Sequence, residues 1–344
     1  MTGETRGFGL GPMPGENVAV AAEIVVGETG EFPAFPELPA RGVGFDQIGR
    51  NAALLEGLNV EPGPRGWRLC PRPQLLTRRA VDGFEADLDA CGEVWGSSLN
   101  VLKIQVTGPW TLASAVELPN GHRALTDPGA LRDLSGALIH GTLAHVAEVR
   151  RRFGVEVAVQ IDEPLLGVVC GGRLRGTSDY DMIRAVPRVE AAERLSTIVD
   201  SLSDSGVPRS AVLLNLTAQV PLWEVAVSSG AGTILIDPTH VVGAVHMDGL
   251  GAAVSDGVRV GFGVIPAESS AIPGKANLEE WSRNTAVRVA RLWDELGLER
   301  HLLTSMVDVH PQSGLSGVSA PVAARALAAA RIVAGMLLRD AGDL

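Results

Sequence analysis

The segment from Thr126 to Gly154 has the spacing of a helix that is apolar on one side. Asp127 can cap its start, and Pro128 fits the first helical position, where the missing N–H costs nothing. Gly154 can adopt the left-handed conformation that ends a helix. Apolar residues recur at helical spacing at Leu131, Leu134, Leu138, Val146 and Val149. This pattern predicts one long helix.

A strand follows this helix at once. In Val155–Ile161 every second residue is a large apolar one, which is the period expected of a strand. Further strands are predicted at Leu102–Thr107, Ala211–Thr217, Gly232–Asp237, Val258–Ile265 and Leu302–Val309, and more weakly at Phe8–Met13 and Trp67–Cys70. Helices are predicted between them at Glu190–Ser203, Val220–Ser228, His240–Asp256, Leu278–Leu296 and Pro321–Leu338.

Alternation of strands and helices predicts a parallel sheet, and about eight repeats predict a (β/α)8 TIM barrel. A doubly wound open sheet is the alternative that the pattern leaves open. The chain has 344 residues and shows no clear linker, so we expect a single domain over residues 1–344. The Pro- and Gly-rich stretch at residues 32–44 is typical of a loop or lid.

Charge and hydropathy narrow the choice of partners. Asp and Glu (40) outnumber Lys and Arg (29), and a net charge of −11 repels nucleic-acid phosphates. No run of about 18 uninterrupted apolar residues predicts a membrane span, and the first residues do not resemble a signal peptide. The three cysteines have neither disulfide nor zinc-thiolate spacing. We expect a cytoplasmic protein that binds a small molecule, without membrane or nucleic-acid partners.

Polar and acidic residues cluster where the predicted strands end. In a barrel, reactive groups lie at the carboxyl ends of the strands, where the loops that lead to the helices meet. Those ends are Gly11–Pro14, Thr107–Trp110, Asp162–Pro164, Asn215–Thr217, Asp237–Pro238, Pro266–Glu268 and Asp308–His310. We therefore expect a cleft for a small polar molecule at this end of the sheet.

Two adjacent carboxylates, Asp162 and Glu163, end the strand that follows the long helix. An ionised side chain loses favourable hydration when it is buried, unless it is paired. We therefore expect both carboxylates to face a ligand. A salt bridge at the strand end is the structural alternative.

Five short motifs give the chain a resemblance to a known family. They are VTGPWTL (Val106–Leu112), VQIDEP (Val159–Pro164), ILID (Ile234–Asp237), GFGV (Gly261–Val264) and HPQSGL (His310–Leu315). In this order they are similar to TGPxT, QIDEP, ISIE, GLGV and NPDCGL of the catalytic C-terminal barrel of cobalamin-independent methionine synthase. The resemblance covers nearly the whole chain. The wording TGPWTLAS is also similar to uroporphyrinogen decarboxylase, of the same barrel superfamily.

The resemblance implies a reaction and a metal. In the family, zinc binds homocysteine as a thiolate, which takes a methyl group from a folate. The family's His-x-Cys ligand pair falls on Asn215 and Thr217, its glutamate on Asp237 and its last cysteine on Ser313. Because amide and hydroxyl oxygens are poor zinc ligands, we expect no zinc, and we assign Asn215, Thr217 and Ser313 to substrate binding.

Other positions of the family differ as well. Its serine after the first strand falls on Pro12, and its folate-stacking tryptophan falls near Ala115. Trp110 lies close by, and we assign it to substrate binding as a candidate stacking platform. Its proton-donating histidine falls near Glu268. The aspartate that binds the substrate's amino group is intact as Asp162, which implies a ligand with an ammonium group.

The histidines leave a metal site open as an alternative. His240, His246 or His310 could rebuild one with Asp237, because imidazole is a common zinc ligand. Asp237, Glu268 and His310 are our candidate catalytic residues.

The sequence thus predicts a methionine synthase-like methyltransferase. Its acceptor would be homocysteine or another small thiol or amino acid, and its donor a folate or another one-carbon compound. Two alternatives are a catalytically silent barrel that binds an amino acid or folate, and a metal-free lyase similar to uroporphyrinogen decarboxylase.

Overall fold

A computed structural model describes residues 3–63, 65–178 and 181–344. The helices are α1 Val18–Thr29, α2 Gln47–Leu54, α3 Leu75–Trp95, α4 Pro109–Ala115, α5 Pro128–Phe153, α6 Leu166–Cys170, α7 Arg188–Asp204, α8 Trp223–Ser228, α9 Ala244–Ser255, α10 Leu278–Glu295 and α11 Ala320–Asp340. The strands are β1 Asn59–Gly63, β2 Gly66–Cys70, β3 Val101–Thr107, β4 Val116–Glu117, β5 Glu156–Asp162, β6 Val212–Asn215, β7 Thr233–Ile236, β8 Arg259–Ile265 and β9 Val307–Pro311.

Six parallel strands form one curled sheet, a half-barrel, in the order β3-β5-β6-β7-β8-β9. The order in space follows the order in the chain. A doubly wound sheet reverses its strand order, so the structure does not have that alternative topology. Helices surround the sheet, and neighbouring ones contact each other, as α10 does α11 and α11 does α1.

The helix and strand predicted around Gly154 are confirmed. The Asp127 carboxylate accepts a hydrogen bond of 2.8 Å from the Ala130 N–H and caps α5. Gly154 ends the helix with φ 65° and ψ 30°, a left-handed conformation that glycine adopts without steric cost. Strand β5 begins two residues later, and it is buried from its second residue onward.

The two faces of the curled sheet differ in polarity. Strand register places Lys103, Gln105 and Thr107 of β3 on the same face as Gln160 and Asp162 of β5. That face also carries Asn215, Asp308 and His310, whereas the alternate residues of these strands are mostly valine, leucine and isoleucine. The apolar face packs under the helices, so the interior of the half-barrel is polar.

Two extended segments lie along the edges of this sheet. Gly7 forms an isolated parallel bridge with Val309 of β9, and Ala34 forms one with Lys103 of β3. A third bridge, between Pro12 and Glu37, joins the two segments to each other. The predicted strand at residues 8–13 falls within the first segment, which forms bridges but no regular strand.

The predicted loop or lid at residues 32–44 has two parts. From Phe32 to Leu38 the chain is buried, and the Phe35 N–H donates to the Lys103 carbonyl over 2.7 Å. Residues 39–44 form a short 3-10 turn and a loop at the surface. The prolines do not prevent this segment from pairing with β3. Pro33 has no N–H to donate, but its carbonyl accepts a hydrogen bond from the Lys103 N–H.

The strand predicted at Trp67–Cys70 is present, but its place among the barrel strands is wrong. These residues lie in β2, which pairs antiparallel with β1 and parallel with β4 in a separate three-stranded sheet. Only Trp67 of β2 is buried, whereas a strand inside a barrel is covered on both faces. The strand predicted at Leu302–Val309 is shifted, since residues 300–304 form a 3-10 helix and β9 runs from Val307 to Pro311.

One helix among the described residues, α11, is long and apolar enough to cross a membrane by length and composition alone. Just over half of its most apolar window is buried within the fold, where α11 packs against α1, α10 and β9. The core helix of a soluble protein has the same composition.

Buried His145 makes the stability of the fold depend on pH. Its ring lies edge-on to Phe84 with the ring centres 4.7 Å apart, and burial lowers its pKa from 6.5 to about 3. Below pH 6.5 the unfolded chain therefore takes up a proton that the folded chain does not. The free energy of unfolding should fall by up to about 1.4 kcal/mol per pH unit between pH 6 and 4 on account of this residue.

His145→Leu should flatten that slope, as measured by urea unfolding at several pH values. His140→Leu, on the exposed face of the same helix, is the control and should keep the wild-type slope. Equal slopes in all three proteins would contradict the assignment.

Candidate functional site

A cleft of about 260 Å³ opens at the carboxyl ends of the strands. Its polar walls include Glu37, Asp162, Asn215, Thr217 and Ser313, and its apolar walls include Phe45. These residues come from β5, β6, the loop after β9 and the segment before α2. The cleft thus lies where the sequence predicts one.

Asp162 presents a carboxylate to this cleft. It is the last residue of β5, pairs in register with Asn215 of β6 and is 8% exposed. Its Oδ1 accepts two hydrogen bonds of 2.7 Å, from Gln160 Nε2 and Asn215 Nδ2. Among the described residues no donor is bonded to Oδ2.

A buried lysine, Lys103, is linked to Asp162 by hydrogen bonds through Gln160. Lys103 Nζ donates to Gln160 Oε1 over 2.5 Å, and Gln160 Nε2 donates to both Asp162 Oδ1 and the Leu10 carbonyl. Lys103 and Gln160 are both fully buried. Sequence reasoning missed Lys103, although a lysine in the apolar strand Val101–Thr107 was a signal.

The charges of this interior group influence one another. Burial raises the pKa of Asp162, and nearby Glu37 raises it further, whereas Asn215, Gln160 and Lys103 lower it. Burial lowers the pKa of Lys103, against the attraction of Asp162 and Glu37. Burial thus favours the neutral form of both groups, and the attraction between them opposes it.

Asn215 and Thr217 are bonded to each other in the cleft wall. Asn215 Oδ1 accepts from the Thr217 N–H over 3.1 Å and from its hydroxyl over 2.8 Å. Because Asn215 Nδ2 donates to Asp162, the amide extends the buried chain into the cleft wall. Ser313 is exposed, and its hydroxyl has only a long contact of 3.5 Å to the Gly314 carbonyl.

Glu163 was predicted to face a ligand, but it points away from the cleft. It is fully buried and accepts hydrogen bonds from the Trp110 N–H, the Thr111 N–H and the Thr111 hydroxyl, over 2.9, 2.9 and 2.7 Å. Burial raises its pKa to about 7, against these three donors. A Cβ on Gly108 would lie 2.2 Å from Glu163 Oε1, so glycine is needed there. Glu163 therefore holds the start of α4 against the end of β5.

Trp110 belongs to the core. It is fully buried, its Nε1–H donates to the Ala191 carbonyl over 3.1 Å, and its ring lies 5.2 Å from the Arg194 guanidinium. A buried ring cannot serve as a stacking platform for a ligand in the cleft.

The three candidate catalytic residues do not line the cleft either. Asp237 caps a short turn, accepting from the Thr239 N–H and hydroxyl, and Glu268 is exposed. His310 is fully buried, and its ring lies nearly parallel to Phe8, with the centres 5.9 Å apart.

His310 is held as a neutral ring inside the sheet. Its Nδ1 is 2.7 Å from the Pro311 carbonyl, and burial lowers its pKa to about 4. Gly261 and Gly263 make room for it, since a Cβ on either would lie within 3.2 Å of the ring. Because β9 extends to Pro311, His310 lies inside a strand rather than in the loop after it.

The side chains that the sequence resemblance assigns to zinc-ligand positions are poor donors for zinc. Asn215, Thr217 and Ser313 offer amide and hydroxyl oxygens, and Asp237 lies outside the cleft that they line. Within the described ranges, no three His, Cys, Asp or Glu side chains are grouped to hold a metal ion. His240 and His246 each have a buried Nδ1 with no hydrogen-bond partner, and neither forms such a group.

Comparison with known proteins supports the fold. The B12-independent methionine synthase of Shewanella sp. W3-18-1, solved in complex with selenomethionine, is similar with a TM-score of 0.52 and 11% sequence identity. The match covers 99% of this chain and all of that one. No protein-family model matches the chain, and no curated protein sequence does. The chain therefore has a methionine synthase-like fold.

The two adjacent carboxylates should respond differently to substitution. Glu163→Gln keeps the shape of the side chain but replaces one acceptor oxygen with a donor, facing the donors of Trp110 and Thr111. We expect a loss of about 1–3 kcal/mol in the free energy of unfolding, measured in urea. Glu268→Gln is the exposed control and should change it by less than about 0.5 kcal/mol. Equal stability of the two variants would contradict the role given to Glu163.

Proposed function

We propose that this protein binds a small molecule with an ammonium group in the cleft, and that Asp162 Oδ2 accepts its N–H donors. One observation carries the proposal: two hydrogen bonds fix Oδ1 inward, while Oδ2 faces the cleft without a partner among the described residues. A charge-assisted hydrogen bond to a carboxylate is strong in such a buried place. Glu37 adds a second negative charge to the wall.

We further propose that the curled sheet closes into a (β/α)8 barrel. The segments around Gly7 and Ala34 would supply the seventh and eighth strands, since their bridges link β9 to β3 through the Pro12 and Glu37 pair. The fold likeness to a methionine synthase along the full chain supports this closure. In a closed barrel the cleft is the mouth at the carboxyl ends of the strands, the usual place of the active site in this fold.

Methyl transfer is the second candidate function, favoured by the same fold likeness. It would use the cleft for the acceptor, an amino acid or small thiol held through Asp162. Zinc would activate a thiol in the family's way, but the amide and hydroxyl donors here do not suit it. Asp237, Glu268 and His310 lie outside the cleft, so the residues that line it support binding more directly than catalysis.

Binding is tested with methionine and with N-acetylmethionine, which lacks the ammonium group. We expect calorimetry to detect methionine and not the acetylated compound. Asp162→Asn should weaken methionine binding roughly ten-fold or more, because it removes a charge-assisted hydrogen bond. Asp237→Asn, outside the cleft, is the matched control and should bind as the wild type does. Equal binding of the two methionine compounds, or none of either, would overturn the proposal.

Metal content separates the two candidates. Protein that has been incubated with zinc and then dialysed should retain far less than one zinc ion per chain, measured by elemental analysis, because one carboxylate is the single good donor at the four family positions. One tightly held zinc per chain would restore the zinc-dependent synthase.

A further inference from the structure

The chain uses lysine at only two positions. Of its 29 basic side chains 27 are arginines, and the lysines are Lys103 and Lys275. Lys275 is exposed, whereas Lys103 is fully buried inside the curled sheet. An arginine keeps its proton under all ordinary conditions, but a buried lysine can lose it. The one buried lysine is therefore a cation that the interior can remove.

Charged and titratable groups face Lys103 from several elements. Asp162 of β5 and Glu37 of the 32–38 segment attract its proton, and Arg6 of the N-terminal segment repels it. His310 of β9 is close enough for Lys103 to lower its pKa. The Phe8 ring, 5.4 Å from Nζ, closes one side without supplying an acceptor. Burial thus disfavours the protonated form of Lys103 most strongly, and the two carboxylates that line the cleft are the groups that favour it.

Charge is balanced in the empty cleft. Arg50 Nε lies 3.6 Å from Glu37 Oε1, and Lys103 reaches Asp162 through Gln160. A ligand ammonium bound to Asp162 Oδ2 adds one positive charge to this group. Because an additional buried positive charge is costly, its arrival favours the loss of a positive charge elsewhere in the group. Lys103 is its one cation that can become neutral.

We propose that Lys103 is a removable counter-ion of Asp162, protonated in the empty cleft and neutral when an ammonium-bearing ligand is bound there. One N–H bond of the Lys103 ammonium breaks and its proton goes to solvent, while the ammonium group of the ligand places one positive charge beside Asp162, so the local charge around that carboxylate is unchanged. This inference rests on the proposed function. It makes Lys103 a positioning residue, which acts on the ligand through Gln160 and Asp162.

The test follows the two lysines by NMR in wild-type protein labelled with ¹³C- and ¹⁵N-lysine. Lys275→Met assigns the two signals, and in the wild type Lys275 serves as the internal control. The titration midpoint of Lys103 is measured without ligand and then with saturating methionine. We expect methionine to lower the Lys103 midpoint by at least one pH unit, a ten-fold change in proton affinity, and to leave Lys275 unchanged.

Calorimetry separates failure of the inference from failure of the proposed function. One pH unit below the ligand-free Lys103 midpoint, a one-unit shift should release about 0.4 proton per methionine, and a shift of two units or more about 0.8 proton, as measured by calorimetry in phosphate and in Tris. If methionine binds and the Lys103 midpoint stays the same or rises, the inference is overturned and the proposed function stands. If methionine does not bind at all, the proposed function is overturned, and this inference with it.

Discussion

A buried hydrogen-bonded chain from Lys103 through Gln160 to Asp162 is the interaction on which the site depends. Buried polar side chains are costly unless they form hydrogen bonds. Here Lys103 donates to Gln160, and Gln160 donates to Asp162, so each of the three has a partner. It also fixes the direction of the terminal carboxylate, because both donors to Asp162 bond to the same oxygen. Buried residues beneath the cleft therefore determine the position and orientation of its Asp162 carboxylate.

The period of a strand explains why two neighbouring acids have opposite roles. Asp162 follows Gln160 by two residues and lies on the same polar face of the sheet, whereas Glu163 is one residue beyond and turns toward α4. There its carboxylate takes three hydrogen bonds at the start of that helix. Adjacent carboxylates in a sequence are thus not a pair in space. One faces a ligand cleft in our account, and the other joins a strand to a helix.

Local signals made the regular elements predictable. The cap at Asp127, the glycine at Gly154 and the alternation in β5 act over a few residues, so the sequence shows them directly. The placement of Asp162 and Asn215 at strand ends followed from the same spacing. The expectation of a barrel added the position of the cleft, which depends on several strand ends together.

Features that depend on distant contacts could not be predicted in this way. The segment from Phe32 to Leu38 reads as a loop because of its prolines, and only its bonds to Lys103 show that it pairs with β3. His310 is the first residue of the HPQSGL motif, but it is buried because β9 extends to Pro311. Trp110 and Glu163 were assigned to a ligand, but each binds within the protein. Their partners, Ala191 and Thr111, lie on other elements, so local sequence does not show them.

A crystal structure of the protein with methionine would test the central claim most directly. Our account predicts that the ligand nitrogen lies about 3 Å from Asp162 Oδ2, with Oδ1 still bonded to Gln160 and Asn215. A ligand bound with its ammonium group elsewhere, or an Asp162 carboxylate turned away from the cleft, would contradict it.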